Sequence, residues 1–230
     1  SIVRLQKPVA ITESFQLSAE DIEQLMNESM GLYRVFCDML KNPNIDERLK
    51  IHIRRSQLGE DDPRDEKKIE EEAIRYMMWL NAERAALFFA KHVVICEGQS
   101  EKVLLEYLVE NNWPDLRNKC AHFADVLGKY NIHRFMTLLT KLGISHSVLM
   151  DRDSDTDVQK IVNDFIGKSK TEKTTIIKYF DRDLEDFLGI TAPERKELKP
   201  LHILSELMSG KIADEKISNL RCIVDELMPS

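Results

Sequence analysis

Acidic residues occur at alternate positions directly after a short apolar segment in the second half of the chain. Asp151, Asp153 and Asp155 follow Val148-Leu149-Met150, which has the composition of a buried strand. Carboxylates at the carboxyl end of such a strand lie where open α/β sheets bind their ligands. Because three converging carboxylates repel one another unless a cation neutralises them, the pattern favours a site for Mg²⁺ or Mn²⁺. A D-x-D pair alone is also common in surface loops, so this motif needs a partner.

A second acidic turn supplies that partner. Val93-Val94-Ile95-Cys96 is followed at once by Glu97 and Gly98, and Glu101 begins the next predicted helix. Gly98 permits the sharp strand-to-helix turn that this order requires. If the two strands are parallel and adjacent, Glu97 meets the aspartates at one edge of the sheet, and Glu101 can point back toward them. The two motifs in this order are far more restrictive than either alone.

The elements that must position these acids alternate between strands and helices from Lys91 onward. The predicted strands are 93–96, 122–126, 144–150 and 174–180. Helices with apolar residues at helical spacing separate them, which is typical of βαβ crossovers and a mostly parallel sheet. From Asp183 the chain is predicted to be helical again, with Pro200 in the first turn of a helix. The predicted fold class is therefore α/β, with helices flanking the sheet.

The chain before Lys91 is predicted to be an additional, mainly helical region without an obvious site. Residues 1–17 are interpreted as a strand or extended arm. Ser18-Ala-Glu-Asp21 has the form of a capping box, and a single helix is predicted from there to Asn42-Pro43. A shorter helix is predicted within 45–58, and a charge-rich one from about Asp65 to Ala90.

Composition narrows the class of protein. The chain has 230 residues, of which 43% are hydrophobic and 32% charged, as in a globular protein of one or two domains. No apolar run is long enough to span a membrane. The four cysteines form no C-x-x-C pair, so we expect buried free thiols in a reducing cytosol rather than zinc or disulfides. The net charge of -7 does not exclude nucleic acid, because bound metal ions mask clustered acids.

The ordered motifs resemble a Toprim domain, the catalytic α/β fold shared by topoisomerases, bacterial primases and several nucleases. Within that group the chain resembles the OLD (overcoming lysogenization defect) family of nucleases. The segments that carry the resemblance are 85–101, Gly128-Lys129, 142–153, 183–188 and Lys199-Pro200. They lie within residues 80–208. Cys96 departs from the family pattern, which usually has Val there, and residues 18–75 contain no matching motif.

The resemblance implies an endonuclease or nickase that hydrolyses phosphodiester bonds in DNA by a two-metal mechanism. The implied cofactor is Mg²⁺ or Mn²⁺, as two ions, and Ca²⁺ is able to occupy the same site. Lys199 resembles the family's essential lysine, which would contact the scissile phosphate or stabilise its developing charge; without the resemblance it would be an ordinary surface lysine. Glu97, Asp151 and Asp153 are the other implied catalytic residues. The implied metal ligands are Glu97, Glu101, Asp151, Asp153 and Glu185, with Asp155 as an accessory.

The resemblance also implies a surrounding protein. OLD proteins carry an ABC-type ATPase domain before the Toprim region, so residues 1–17 are expected to be the tail of such a domain or an extended arm. Residues 18–90 would be a helical region, 91–190 the Toprim catalytic domain and 191–230 helices that complete the nuclease region. Gly167-Lys168-Ser169 does not form a Walker A loop, because Val162 stands where the motif needs glycine. DNA as partner, a homodimer, a bacterial or phage-encoded cytoplasmic protein, and phage defence or DNA repair are family-level expectations.

Other functions of the same fold fit less well. A topoisomerase would present a tyrosine on a separate mobile domain, whereas Tyr107, Tyr130 and Tyr179 fall in predicted core elements. A primase would carry a zinc-binding module. A catalytically silent Toprim domain, used for DNA binding or dimerisation, stays open as an alternative. Five clustered carboxylates count against it, since without metal they would destabilise the fold by repulsion.

Overall fold

The computed structural model of the chain describes residues 3–6, 13–60, 84–119, 121–153 and 156–228. Six strands are present in these ranges: β1 (Val3–Gln6), β2 (Glu13–Gln16), β3 (His92–Cys96), β4 (Ala121–Asp125), β5 (Ser145–Asp151) and β6 (Thr174–Phe180). The last four form one sheet in the order β4-β3-β5-β6, and every neighbouring pair is parallel. The four predicted strands of the α/β region are thereby confirmed, in a sheet that is wholly parallel.

Nine α-helices lie in the described ranges. They are α1 (Ala19–Ser29), α2 (Gly31–Lys41), α3 (Glu47–Arg55), α4 (Gln99–Asn111), α5 (Ile132–Lys141), α6 (Asp157–Lys168), α7 (Leu184–Leu188), α8 (Lys199–Met208) and α9 (Asp214–Leu227). Short 3₁₀ helices occupy Arg84–Phe89, Pro114–Lys119, Lys129–Asn131 and Lys196–Leu198. The predicted helices after β3 are all found, and Pro200 lies in the first turn of α8 as expected.

Alternation along the strands creates two cores, one on each face of the sheet. In β3, Val93 and Ile95 pack into one cluster, while Val94 and Cys96 pack into the other. Helices α1, α2, α3, α5 and α6 cover the first face, and α4, α7, α8 and α9 cover the second. Because both faces of β3 are covered, its sequence is a continuous apolar run instead of an alternating one. The predicted α/β fold class with flanking helices is confirmed.

The segment from Ser18 to Asn42 contains two helices, so the prediction of a single helix was wrong. The capping box is present, since Ser18 Oγ accepts from the backbone N–H of Asp21 and Asp21 Oδ2 accepts from that of Ser18, both at 3.0 Å. The first helix ends at Ser29, and the next begins at Gly31. A Cβ on Gly31 would lie 3.0 Å from Cζ of Phe165 in α6. The glycine at the break therefore allows a distant helix to pack closely against the backbone.

The charge-rich helix predicted from Asp65 to Ala90 falls mostly outside the described residues. Its last part, Arg84–Phe89, is a 3₁₀ helix and not an α-helix. In a 3₁₀ helix, side chains three residues apart lie on one edge. Leu87 in this helix and Ala90 directly after it have that spacing, and both are buried in the core on one face of the sheet. Tertiary packing of these two residues accounts for the difference.

The predicted N-terminal extended segment contains two strands, β1 and β2, which pair antiparallel. Phe15 of β2 packs against the end of α5, where Gly143 has φ +65°. A Cβ on Gly143 would lie within 2.3 Å of the Phe15 ring, so glycine is needed for both the helix end and the close approach. Gly143 ends the helix, as its sequence position predicts.

Two further expectations concern cysteines and membranes. Cys37 and Cys96 are buried free thiols as expected, but Cys222 is exposed on α9. Within the described ranges, no helix combines the length and the apolar character that crossing a membrane requires.

Candidate metal centre

The acidic motifs lie at the carboxyl edge of the two central strands. Leu149 of β5 is paired with Cys96, the last residue of β3. Glu97 follows directly, and its backbone N–H donates to Leu149 O at 3.2 Å. Two residues beyond Leu149, the backbone N–H of Asp151 donates to Glu97 Oε2 at 3.2 Å. The condition set by the sequence, that these strands be parallel and adjacent, is met.

Glu97, Asp151 and Asp153 converge into a three-carboxylate group, which we call the first cluster. One oxygen of each lies within 4.8 Å of the others. Asp151 Oδ1 is buried and has no hydrogen-bond partner among the described residues. A buried carboxylate oxygen without a donor is costly unless something else satisfies it. Carboxylate oxygens are the ligands that Mg²⁺ and Mn²⁺ prefer, so the residues of this cluster fit a divalent cation.

Asp153 reaches the first cluster through an unusual backbone conformation. Its φ of +45° lies in the left-handed region, which aspartate tolerates better than most non-glycine residues. Two hydrogen bonds to the end of β6 fix this turn, from Arg152 N to Phe180 O at 3.0 Å and from Asp153 N to Arg182 O at 3.2 Å. The chain therefore turns at the site immediately after β5.

Lys129 is a component of the site that the sequence analysis did not assign. Its side chain is only 2% exposed, and Nζ lies 3.1 Å from Asp153 Oδ2 and 3.9 Å from Glu97 Oε2. The residue belongs to the Gly128-Lys129 turn that follows β4, the other neighbour of β3. The sequence could have indicated Lys129 by its position in the turn after β4, a third parallel strand that ends at the same edge of the sheet.

A second group contains Glu101, Glu185 and Lys199. Glu101 is buried at the start of α4, and its Oε2 accepts from the backbone N–H of Gly98 at 3.0 Å. Glu185 is buried in α7, and its Oε1 lies 2.7 Å from Nζ of Lys199, the first residue of α8. Asp183 is the N-cap of α7, because its Oδ1 accepts from the backbone N–H of Asp186 at 2.7 Å. We call Glu101, Glu185 and Lys199 the second cluster.

Burial and mutual repulsion shift the protonation of the acids. Burial, together with the charges of Glu101 and Glu97, raises the pKa of Asp151 from 3.8 to about 9. Burial likewise raises the pKa of Glu97 to about 7, although Lys129 opposes the shift. The pKa of Glu101 is raised by burial and by the charge of Glu185. Because the charge of Glu101 contributes to the raised pKa of Asp151, the two clusters interact electrostatically.

The structure therefore separates the predicted ligands into two sets. Glu97, Asp151 and Asp153 share the first cluster, whereas Glu101 and Glu185 lie in the second with Lys199. Asp155, the predicted accessory ligand, lies outside the described residues. The roles of these residues in catalysis and metal binding stay predictions.

Comparison with known proteins agrees with the motifs. Residues 88–153 match the family model of the overcoming lysogenization defect protein-like Toprim domain. The chain is also 26% identical over 163 residues to endonuclease GajA of Bacillus cereus (strain VD045). That match covers 57% of this chain but only 27% of the relative, so the chain corresponds to about a quarter of it. The strand ends that carry Glu97, Lys129, Asp151 and Asp153 all fall inside the family match. Residues 88–153 of the chain are thus similar to the OLD-like Toprim family.

Proposed function

We propose that this chain is a divalent-metal-dependent endonuclease module that hydrolyses phosphodiester bonds in DNA, cutting one strand or both. The observation that carries the proposal is the convergence of three carboxylates within 4.8 Å at the carboxyl edge of the sheet. The OLD-like Toprim domain and the similarity to an endonuclease support a nuclease-type function.

The two clusters suit two cations. The first cluster supplies three carboxylates, and Lys129 adds one positive charge beside them. The net charge that remains when the acids are ionised is negative, which suits one Mg²⁺ or Mn²⁺. Glu101 and Glu185 of the second cluster would hold the other. When bound, such cations supply a nucleophilic water at neutral pH and neutralise charge on the scissile phosphate. Two-metal catalysis is therefore our proposal for the mechanism.

Lys199 differs from the carboxylates in its proposed role. Its side chain is 30% exposed, so a phosphate at the mouth of the site can reach the ammonium group. Although partial burial alone would lower the pKa of Lys199, hydrogen bonding to Glu185 and the charges of Glu185 and Asp151 raise it. The residue therefore stays protonated and offers a fixed positive charge where the transition state becomes more negative.

Glu97 acts as both ligand and organiser in this proposal. Its Oε2 accepts from the backbone N–H of Asp151, which ties the carboxylate to the end of β5. Its other oxygen is then available to a cation or a water. The hydrogen bond restricts the side chain in advance, so less ordering remains when ligands bind.

The experiment is incubation of supercoiled plasmid with the protein and Mg²⁺, Mn²⁺ or Ca²⁺. We expect conversion to nicked or linear DNA by the wild type, and none by Glu97→Ala or Asp151→Ala. Asp38→Ala, on α2 and away from the site, is the matched control and should cleave normally. If wild type and the two site variants behave identically, the chain is not a nuclease of this kind and the silent binding-module alternative takes its place.

We also propose a larger assembly. From the resemblance to the OLD family, we expect this chain to act as the C-terminal nuclease part of an ATPase-coupled protein, and as a homodimer. Endonuclease GajA, of which the match covers only 27%, is much longer than the matched region. Size-exclusion chromatography with light scattering tests the dimer directly. A monomer at all concentrations would refute it.

A further inference from the structure

The backbone around Lys129 is fixed against Glu97. Gly128 has φ +109°, and its N–H donates to Glu97 O at 2.8 Å. Asn131 closes the turn from the other side, through N–H to Gly128 O at 3.0 Å and Nδ2 to Val126 O at 2.9 Å. The side chain of Lys129 therefore starts from a rigid turn beside the first cluster.

The ammonium group of Lys129 is enclosed by the cluster. Among the described residues, its ion-pair partners are Asp153 Oδ2 at 3.1 Å and Glu97 Oε2 at 3.9 Å, and only 2% of the side chain is exposed. A DNA phosphate at the surface cannot contact a group so fully covered. Lys199, at 30% exposure, is the lysine available to substrate. The two lysines of the site therefore have different tasks.

A buried ammonium is stable only when opposite charges compensate the loss of water. Lys129 obtains this compensation from two of the three carboxylates that would bind a cation. In turn it screens the repulsion between Glu97 and Asp153 when no metal is present. A divalent cation entering the same cluster meets a positive charge already there, and like charges at this range repel strongly.

We propose that Lys129 is a positioning residue whose ammonium group holds the first cluster together without metal and weakens the binding of divalent cations there. Lys129 is thus an internal counter-charge, not a contact to DNA. This inference rests on the proposed function in one respect, that the first cluster is a cation site.

The test compares Lys129→Met, which keeps the length and apolar stem of the side chain, with Lys129→Arg, which keeps the charge. Lys141→Met is the matched control, since Lys141, the last residue of α5, makes its ion pair with Asp21 at 3.2 Å and not with the first cluster. Two quantities are measured on the full chain: the thermal midpoint in EDTA, and the Kd for Mn²⁺ by calorimetry. Neither depends on nuclease activity.

We expect Lys129→Met to lower the midpoint in EDTA while tightening Mn²⁺ binding by about tenfold or more, the order expected from removing a like charge at this range. Lys129→Arg and Lys141→Met should leave the Kd near that of wild type. A purely structural role would instead weaken Mn²⁺ binding together with stability. An unchanged or weaker Mn²⁺ affinity in Lys129→Met, or an unchanged midpoint, overturns the proposal.

Two complications are covered by the same design. If wild type binds no Mn²⁺, the metal-dependent function fails separately; Mn²⁺ binding gained by Lys129→Met then still supports the counter-charge, and no gain overturns it. If Lys129→Met does not fold, Lys129→Gln is measured under the same criteria.

Discussion

The backbone N–H of Asp151 donates a hydrogen bond to the Glu97 side chain at 3.2 Å, across the ends of two neighbouring parallel strands. Glu97 is thereby bound both to the strand that precedes it and to the carboxyl end of β5. Its oxygen also lies 3.9 Å from Lys129. A single carboxylate thus joins the acidic residues to the internal cation.

Glu97→Gln keeps an oxygen acceptor for the Asp151 N–H but removes the charge. We expect it to fold normally, with a thermal midpoint close to that of wild type, and to lose about a hundredfold or more of plasmid cleavage, as when a group that stabilises transition-state charge is removed. Initial rates with Mn²⁺ measure the loss. Cleavage within a few fold of wild type would exclude Glu97 as a ligand needed for catalysis.

Stability without metal should depend on pH through the buried acids. The folded-state pKa values of Glu97 and Asp151, about 7 and about 9, lie above their ordinary values of 4.5 and 3.8. The folded protein therefore holds these protons more strongly than the unfolded chain does, and this contribution to stability is full below about pH 4 and disappears as the pH rises through both folded values.

Urea unfolding in EDTA tests this expectation across about pH 6 to 9. The free energy of unfolding of wild type should fall with increasing pH more than that of Asp151→Asn, which cannot ionise. Parallel pH profiles for the two proteins would show that Asp151 is not protonated in the folded state.

Lys199→Ala should abolish cleavage while leaving Mn²⁺ binding at the first cluster intact. The reason is that the exposed ammonium acts on the phosphate, whereas the first cluster holds its cation with other residues. Lys211→Ala, which removes an exposed ion pair with Glu206, is the matched control and should cleave normally. A marked loss of Mn²⁺ affinity in a titration of Lys199→Ala would overturn the assignment.

Gly143→Ala should destabilise the protein by about 2 kcal/mol or more, because it combines a left-handed backbone with a side chain that collides with Phe15. Chemical unfolding measures the change. Gly167→Ala is the control, since a Cβ there meets nothing within 4 Å and helix propensity favours alanine. Equal stabilities for the two variants would indicate that the hairpin does not pack on α5 in solution.

The sheet and its acidic edge could be predicted because their signals are local. Each strand of the α/β region is a run of apolar or β-branched residues, and Glu97 and Asp151 follow two of these runs directly. Once the crossovers were taken as βαβ units, a common edge followed from the parallel arrangement. The sequence did not show that β3 and β5 are neighbours, and this was assumed. The structure shows that they are paired.

Other features depended on contacts between distant residues. At the helix break, Gly31 lacks a Cβ that would crowd Phe165, and nothing in the local spacing indicates that partner. Lys129 was overlooked as a site residue for a similar reason. A lysine in a glycine turn is ordinarily exposed, and only the tertiary structure shows that this one is buried between carboxylates.

The residues of the two clusters come from separate parts of the chain and meet only when the sheet and α8 are assembled. A cation that binds them therefore recognises the folded chain and has no comparable site in the unfolded one. Such a ligand stabilises the protein by about 2.7 kcal/mol when its free concentration is about a hundred times its Kd. The acidic edge thus makes the fraction of folded protein depend on the free concentration of divalent cations, and chelation would act on the fold as well as on the chemistry.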